Sequence, residues 1–203
     1  PNHIAIEAYS AGSLQITDNT ISNSQRGIEM WNPGGNKECS GDGAFVVSGN
    51  NVGTMGGVGI KILIANGICF SNNTLESWVS IESDSKDVVI KNNHISGSSH
   101  GFEISRTSVL SMTDNTANDN LYNGFRFTDS NVVTMTGNTA NNNSMNGFTF
   151  NDNSYASVFT SNTATGNTLN DFDGISETSS AGIVTVDSLN IGQHGTKNGG
   201  DCD

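Results

Sequence analysis

Basic residues, aromatic residues and proline are all scarce in this chain of 203 residues. There are 8 Lys and Arg residues against 20 Asp and Glu residues, which gives a formal net charge of −12 at pH 7. Nucleic-acid binding requires a basic patch or stripe, so this composition argues against a nucleic-acid partner. The same charge disfavours binding of polyanions such as pectate or alginate, unless a divalent cation bridges the charges.

Long apolar runs and a signal peptide are also missing, so we expect no membrane span. The chain opens on Pro1-Asn2-His3, directly inside a repeat, which predicts a mature or excised fragment. An uncapped solenoid end is an exposed edge that favours stacking on another copy. Three cysteines leave the redox compartment open. Cys39 and Cys69 are a candidate disulfide pair, with Cys69 pointing outward, and one thiol is left over.

What the chain has instead is 29 Asn and 24 Gly residues, and some of the Asn residues recur at a nearly constant spacing. The recurring positions are Asn19, Asn50, Asn73, Asn93, Asn115, Asn138 and Asn162. They are separated by 31, 23, 20, 22, 23 and 24 residues, and the long first interval contains an insertion. A period near 22 to 24 residues predicts a solenoid in which each repeat is one supersecondary unit.

Each repeat contains two segments with apolar residues two apart, which predict short strands with one buried face. In the first segment, apolar residues lie five and three positions before the Asn, as in Leu110 and Met112 or Val133 and Met135. The second segment usually reads Gly-apolar-x-apolar. Its copies are Gly27–Met30, Gly59–Ile62, Gly101–Ile104, Gly124–Phe127 and Gly147–Phe150, with less regular copies at His3–Ile6, Ser80–Ser83 and Asp171–Gly174.

These strands and their Asn, Gly and Ser turns predict an all-β parallel β-helix of about eight coils. Its inward Asn residues would bond to the coils on either side, and Asn tolerates the left-handed backbone that such turns need. The Phe residues of the second strand would form an aromatic stack in the core: Phe102, Phe125, Phe148 and Phe172. A β-sandwich is the alternative, but sandwiches lack a strict repeat. We predict one domain over residues 1–192, with an insertion at about 32–43, a closing rung near 183–191 and a polar tail at 193–203.

The pattern apolar-x-apolar-x-x-Asn-x-apolar, as in Val88–Ile95, resembles the right-handed parallel β-helix superfamily over roughly residues 3 to 191. That superfamily includes polysaccharide lyases, polygalacturonases, mannuronan epimerases, phage tailspikes, adhesins and carbohydrate-binding proteins, so the resemblance implies a fold rather than one activity. The Asp-Pro-His-Asp stretch of the epimerases and the clustered Asp-Asp and Arg-x-Lys signatures of the polygalacturonases are absent. Their absence favours a non-catalytic protein.

The middle residue of each second strand points outward, and these residues would stack into a column. The column is predicted to contain Ala5, Glu29, Lys61, Glu82, Glu103, Arg126, Thr149 and Asp173. One interpretation is a glycan groove in which Glu29, Lys61, Glu82, Glu103 and Arg126 perform lyase or epimerase chemistry. The other is a ladder of exposed ion pairs. Glu82 beside Glu103 would be the exception, because like charges on neighbouring rungs repel.

Trp31 follows Glu29 and directly precedes the insertion, which is the only long loop that the sequence predicts. Trp31, Glu29 and Lys61 together form the candidate ligand site, since an indole suits stacking on a sugar ring. The alternative is that Trp31 packs under its own loop.

A second outward column is rich in Ser and Thr, and regular Thr arrays are a feature of ice-binding β-solenoids. Its members are Thr17, Ser48, Ser71, Lys91, Thr113, Thr136 and Thr160, and beside it run Thr20, Thr74, Thr116, Thr139 and Thr163. The preference of Thr for strands explains the column equally well. Lys91 and His94 interrupt the array.

Metal ligation has little support in the sequence. No His or Cys spacing indicates zinc, and Asp171, Asp173 and Glu177 are the candidate Ca²⁺ ligands, with solvated acidic turns as the alternative. We therefore expect no cofactor other than Ca²⁺.

The leading hypothesis is an extracellular, non-catalytic module that binds carbohydrate or its own copies through the solenoid ends. A polysaccharide lyase or epimerase fragment and an ice-binding protein are the alternatives.

Overall fold

A computed structural model of the chain describes residues 3–9, 12–35 and 44–174. These residues contain 22 β-strands, numbered β1 to β22 in chain order, and no helix. The strands stack in parallel into three sheets, named A, B and C. The predicted all-β parallel solenoid is therefore confirmed.

Each sheet takes every third strand of the chain. Sheet A contains β1 (Ile4–Tyr9), β4 (Arg26–Trp31), β7 (Ile60–Leu63), β10 (Val79–Glu82), β13 (Phe102–Ser105), β16 (Phe125–Thr128), β19 (Phe148–Asn151) and β22 (Phe172–Asp173). Sheet B contains β2 (Leu14–Thr17), β5 (Phe45–Ser48), β8 (Asn66–Ser71), β11 (Ser85–Lys91), β14 (Thr107–Thr113), β17 (Asn131–Thr136) and β20 (Tyr155–Thr160). Sheet C contains β3 (Thr20–Ile21), β6 (Asn51–Val52), β9 (Thr74–Leu75), β12 (His94–Ser96), β15 (Thr116–Asn118), β18 (Thr139–Asn141) and β21 (Thr163–Thr165).

Each coil thus has three strands, whereas the sequence predicts two. Sheet C is missed because its strands have only two or three residues, too few to show an alternation of apolar and polar residues. The described residues complete seven coils, and β22 begins an eighth. Part of the predicted insertion (36–43), the predicted closing rung and the predicted tail lie outside the described residues.

The predicted asparagine ladder runs along the corner between sheets B and C. Each side-chain Nδ2 donates to the Oδ1 of the Asn in the next coil, at 2.8–2.9 Å, from Asn19 through Asn162. Each Oδ1 from Asn50 onward also accepts the backbone N–H of the preceding ladder Asn, as Asn93 does from Asn73 at 3.0 Å. The six members from Asn50 onward are all buried. The ladder therefore satisfies polar groups that the corner removes from water.

The left-handed backbone that the turns need is not adopted by the ladder Asn itself. The residue before it adopts this backbone, with φ between 53° and 70°. These residues are Asp18, Gly49, Asn72, Asn92, Asp114, Gly137 and Ser161. Asp, Asn, Ser and Gly are the residue types that enter this region most readily or form such turns.

A second, shorter ladder runs along the corner after sheet C and is absent from the sequence predictions. Asn120 donates to Asn143 at 3.0 Å, Asn143 to Asn167 at 2.9 Å, and Asn167 to the Oδ1 of Asp171 at 2.7 Å. These four side chains are buried. Asp171 therefore serves as a structural acceptor inside the coil.

The core lies between the three sheets and contains the predicted stack of Phe rings. Centroids of Phe102, Phe125, Phe148 and Phe172 are separated by 5.0, 4.8 and 5.3 Å, with interplanar angles of 7° or less. Phe159, in sheet B, meets Phe148 edge-on at 88°. Both arrangements are favourable for aromatic pairs.

The inward residues of sheet B differ from the prediction in the later coils. Val109 and Val132 are fully buried, whereas the predicted Val133 is 42% exposed. The pairing of β11 with β14 shifts register around Val88, which indicates a β-bulge. The bulge displaces the inward position by one residue.

Candidate functional site

Two exposed aromatic side chains lie side by side at one end of sheet A. Tyr9 and Trp31 are register partners on β1 and β4, and they are 62% and 38% exposed. Tyr9 Oη donates to Glu7 at 2.5 Å, and Trp31 Nε1 donates to Glu29 at 3.1 Å. Each acceptor lies two residues earlier on the same face of the same strand. The rings therefore lean back along their strands, and we call this pair the aromatic platform.

Glu29 is the anchor of the platform, and only 3% of it is exposed. Its Oε2 accepts from Arg26 Nη1 at 2.5 Å, while its Oε1 accepts from Trp31. A buried carboxylate requires this kind of compensation by charge and hydrogen bonds. Glu7 is the register partner of Glu29 on the neighbouring strand. The hydrogen bond to Glu7 raises the pKa of Tyr9, and the negative charges of Glu7 and Glu29 raise it further.

The predicted outward column is correct at six positions and wrong at two. In the structure it contains Glu7, Glu29, Lys61, Ser80, Glu103, Arg126, Thr149 and Asp173. Ala5 and Glu82 are not members, because β1 and β10 are displaced by two residues from the predicted register. The predicted repulsion between Glu82 and Glu103 is absent, since Ser80 is the neighbour of Glu103.

The predicted catalytic candidates form ion pairs along sheet A. Lys61 Nζ lies 2.8 Å from Glu82 Oε1, and Arg126 Nη1 lies 2.9 Å from Glu103 Oε1. The side chains of the first pair are about one-quarter exposed, and those of the second are about one-third exposed. The structure does not bring all five candidates together, because Glu29 pairs with Arg26 instead. Lys61 remains the direct neighbour of Glu29, as in the predicted ligand site.

The Ser and Thr column of sheet B has the predicted register from Thr17 to Thr160. Sheet C carries a second array, in which Thr116-Ala117-Asn118, Thr139-Ala140-Asn141 and Thr163-Ala164-Thr165 stack in consecutive coils. Asn141 Oδ1 accepts from Thr165 N–H at 2.9 Å and from Thr165 Oγ1 at 3.0 Å, which fixes the orientation of these side chains. Ice binding stays a prediction.

Within residues 3–9, 12–35 and 44–174, no group of three or more His, Cys, Asp and Glu side chains is arranged to hold a metal ion. Of the three candidate Ca²⁺ ligands, Asp171 is an acceptor in the second ladder. Asp173 accepts from Asn146 Nδ2 at 3.2 Å, and Glu177 lies outside the described residues.

Cys69 lies on the outer side of sheet B, as predicted, but it is only 2% exposed. It is disulfide-bonded. Cys39, its predicted partner, and Cys202 both lie outside the described residues.

His100 and Tyr122 form a cluster that the sequence predictions miss. The two rings stack with centroids 4.9 Å apart, at the entrance to β13 and β16. His100 directly precedes Gly101, whereas Asn123 separates Tyr122 from Gly124, so the repeat pattern gives no signal for their contact.

Comparison with known proteins places the chain in a family. Residues 38–191 match the family model described as right handed beta helix region. A search of curated proteins finds no significant match, and a search of solved structures finds none either. No helix in the described part of the chain has the length and apolar character needed to cross a membrane. Because the family model covers more than half of the sequence and agrees with the three-sheet solenoid, this chain belongs to the right-handed β-helix family.

Proposed function

We propose that this protein is an extracellular, non-catalytic β-helix module that binds neutral carbohydrate on the outer face of sheet A. The aromatic platform of Tyr9 and Trp31 is the observation that carries this proposal. The C–H faces of pyranose rings stack on exposed aromatic faces, while the sugar hydroxyls need hydrogen-bond partners. Glu7 and Glu29 supply acceptor oxygens next to the two rings.

The platform is preorganised, which favours affinity. Both aromatic side chains stand on strands rather than on loops, and each is held by a hydrogen bond to its own strand. Ordering a mobile side chain on binding costs roughly 0.5–1.5 kcal/mol. Side chains that are already ordered avoid much of this cost.

The charge around the platform favours neutral over anionic glycans. Glu7 and Glu29 lie on neighbouring strands, and the Arg26 guanidinium compensates Glu29 directly. The Glu7 carboxylate and the formal net charge of −12 therefore disfavour a polyuronate chain.

Two observations support an extracellular location. Cys69 is disulfide-bonded, and disulfides persist mainly in oxidising compartments. Charged residues make up only 14% of the sequence, so the polar surface is mostly neutral Asn, Ser, Thr and Gly.

Association of copies through the solenoid ends is a separate proposal, supported by the partly buried Ile6, Ala8 and Leu14 at the first described coil.

Affinity electrophoresis in gels that contain xylan, β-glucan, mannan, galactan, pectate or alginate tests the proposal. We expect at least one neutral polysaccharide to retard the protein and the two polyuronates to leave its mobility unchanged. The double substitution Tyr9→Ala/Trp31→Ala should weaken that binding by about 100-fold, because each aromatic anchor contributes on the order of 1.4 kcal/mol.

The matched control is Tyr155→Ala, which removes another exposed aromatic ring (51% exposed) from sheet B. It should bind like the unaltered protein, and circular dichroism should show that both variants keep their β structure. Unaltered retardation of the folded double variant, or failure of every neutral glycan to bind, would contradict the proposal.

A further inference from the structure

The cluster of His100 and Tyr122 lies on a half-exposed ridge at the corner where sheet C leads into sheet A. Tyr122 N–H donates to Ser99 O at 2.8 Å, Met145 N–H to Tyr122 O at 3.1 Å, and Leu169 N–H to Met145 O at 2.9 Å. His100, Tyr122, Met145 and Leu169 therefore follow one another in consecutive coils. Tyr122 is 47% exposed and Leu169 is 51% exposed, so the ridge offers apolar surface to a ligand.

The orientation of the His100 ring determines which polar group it presents. Its Nδ1 is buried and has no hydrogen-bond partner among the described residues. A buried N–H without an acceptor is among the rarest groups in proteins, so the proton belongs on Nε2. Burial lowers the pKa of His100; the Glu103 carboxylate opposes this effect and the Arg126 guanidinium adds to it. At neutral pH His100 is therefore an uncharged side chain whose Nε2–H is the donor.

The groups around His100 are mostly hydrogen-bond donors. Arg126 uses Nη1 for Glu103, which leaves other guanidinium N–H groups directed elsewhere. The Tyr122 hydroxyl is a further donor. The Glu103 carboxylate near the ring is paired with Arg126, so the two opposite charges compensate each other and do not select a charged ligand. This combination of donors, compensated charges and a nearby apolar ridge suits a neutral acceptor that carries a methyl group.

We infer that this corner recognises the acetamido group of an N-acetylated sugar residue in the glycan that the aromatic platform binds. The acetamido carbonyl would accept hydrogen bonds from Tyr122 and His100, and its methyl group would pack on the ridge. The inference rests on the proposed function, because the platform supplies the rest of the binding surface. It adds a preference among neutral glycans that the platform alone does not provide.

The separation of the two surfaces sets the length of the ligand. From β4, which carries Trp31, to β16, which follows Tyr122, the strand order of sheet A counts four steps. At about 4.8 Å per step, the surfaces are roughly 19 Å apart along the solenoid. They also lie at opposite ends of the sheet A strands, because the register places Trp31 in line with Thr128, six residues after Tyr122. At about 3.3 Å per residue, this offset adds roughly 20 Å across the sheet. Only an oligosaccharide reaches both, and a ligand that does so gains affinity from the high effective concentration of its second end.

Calorimetric titration with a matched pair of ligands tests the inference. Chitohexaose and cellohexaose have the same β-1,4-linked backbone, and they differ only in the acetamido group. We expect the unaltered protein to bind chitohexaose about tenfold more tightly. The double substitution His100→Phe/Tyr122→Phe keeps the stacked rings and removes their donors, so it should abolish this preference and leave the cellohexaose affinity unchanged.

Leu121→Ala is the control, because Leu121 is 66% exposed next to Tyr122 but adds no donor. It should retain the preference. In ¹H–¹³C spectra, the His100 ring resonances should shift with chitohexaose, while those of His94, on sheet C, stay in place. Equal affinity of the unaltered protein for both hexasaccharides, binding of neither, or an undiminished preference in the Phe double variant would overturn the inference. Cellohexaose binding without any preference would refute only the acetamido site and leave the proposed function standing.

Discussion

Replacing Asn93 by alanine is expected to lower the free energy of unfolding by about 3–5 kcal/mol, since several buried groups each cost about 1–3 kcal/mol when left unpaired. Asn93 Nδ2 donates to Asn115 Oδ1 at 2.9 Å and to Phe70 O at 3.0 Å. Its Oδ1 accepts from the backbone and side chain of Asn73. Alanine would remove the side-chain hydrogen bonds to the Phe70 carbonyl and from the Asn73 N–H groups in the middle of the solenoid.

Urea unfolding followed by circular dichroism measures this effect. Asn51→Ala is a suitable control, because Asn51 directly follows ladder residue Asn50 but is exposed. Its free energy of unfolding should change by less than about 0.5 kcal/mol. Similar small effects at both sites would mean that the Asn ladder does not stabilise the coils.

Gly101→Ala should destabilise the protein by about 3 kcal/mol or more, because the added methyl group has no space. A Cβ on Gly101 would lie 2.2 Å from Gly124 O and 2.5 Å from Ala117 Cβ. The carbonyl belongs to the backbone of the next coil, so it moves only if the parallel pairing of β13 and β16 shifts. This close approach explains why Gly precedes the apolar residue in most copies of the second predicted strand.

Gly12→Ala provides the comparison, because a Cβ at Gly12 meets nothing within 4 Å. Its melting temperature should stay the same or rise slightly, since alanine restricts the unfolded chain. If Gly101→Ala melted at the temperature of the unaltered protein, this result would contradict the claim that the backbone of the next coil leaves no space for a side chain at position 101.

The sequence predicts the first Asn ladder well because an inward polar residue in a solenoid recurs once per coil. Seven recurrences, from Asn19 to Asn162, are hard to produce by chance. The second ladder contains only three Asn residues, Asn120, Asn143 and Asn167, and Ser98 occupies the equivalent position one coil earlier. Three recurrences in a chain with 29 Asn residues do not stand out.

The register of the irregular coils is the part that a pattern cannot determine. Side chains alternate with a period of two, so a slip of one residue reverses the faces, whereas a slip of two leaves inward residues inward. Ile4-Ala5-Ile6 and Ile6-Glu7-Ala8 are therefore equally acceptable copies of the strand. The structure selects the second and pairs Glu7 with Glu29.

The same two-residue difference in register is the reason that the sequence does not reveal most of the candidate site. With Ala5 placed beside Glu29, Tyr9 falls beyond the end of the strand and Trp31 has no aromatic neighbour. In the observed register Tyr9 lies next to Trp31. The sequence therefore identifies Trp31 and Glu29 as candidate site residues, but it cannot supply the second ring. His100 and Tyr122 are missed for a related reason, since their contact crosses coils whose turns differ in length.

Tryptophan fluorescence offers the most direct test of glycan binding at the platform, because the chain has two Trp residues, Trp31 and Trp78. The titrant is the neutral oligosaccharide that binds most tightly by calorimetry. In Trp78→Phe, which keeps Trp31 as its reporter, we expect a saturable change in emission with the calorimetric dissociation constant. In Trp31→Phe the emission should stay constant. If calorimetry showed binding while the emission of Trp31 did not change, the glycan would bind elsewhere. This result would contradict the proposed site.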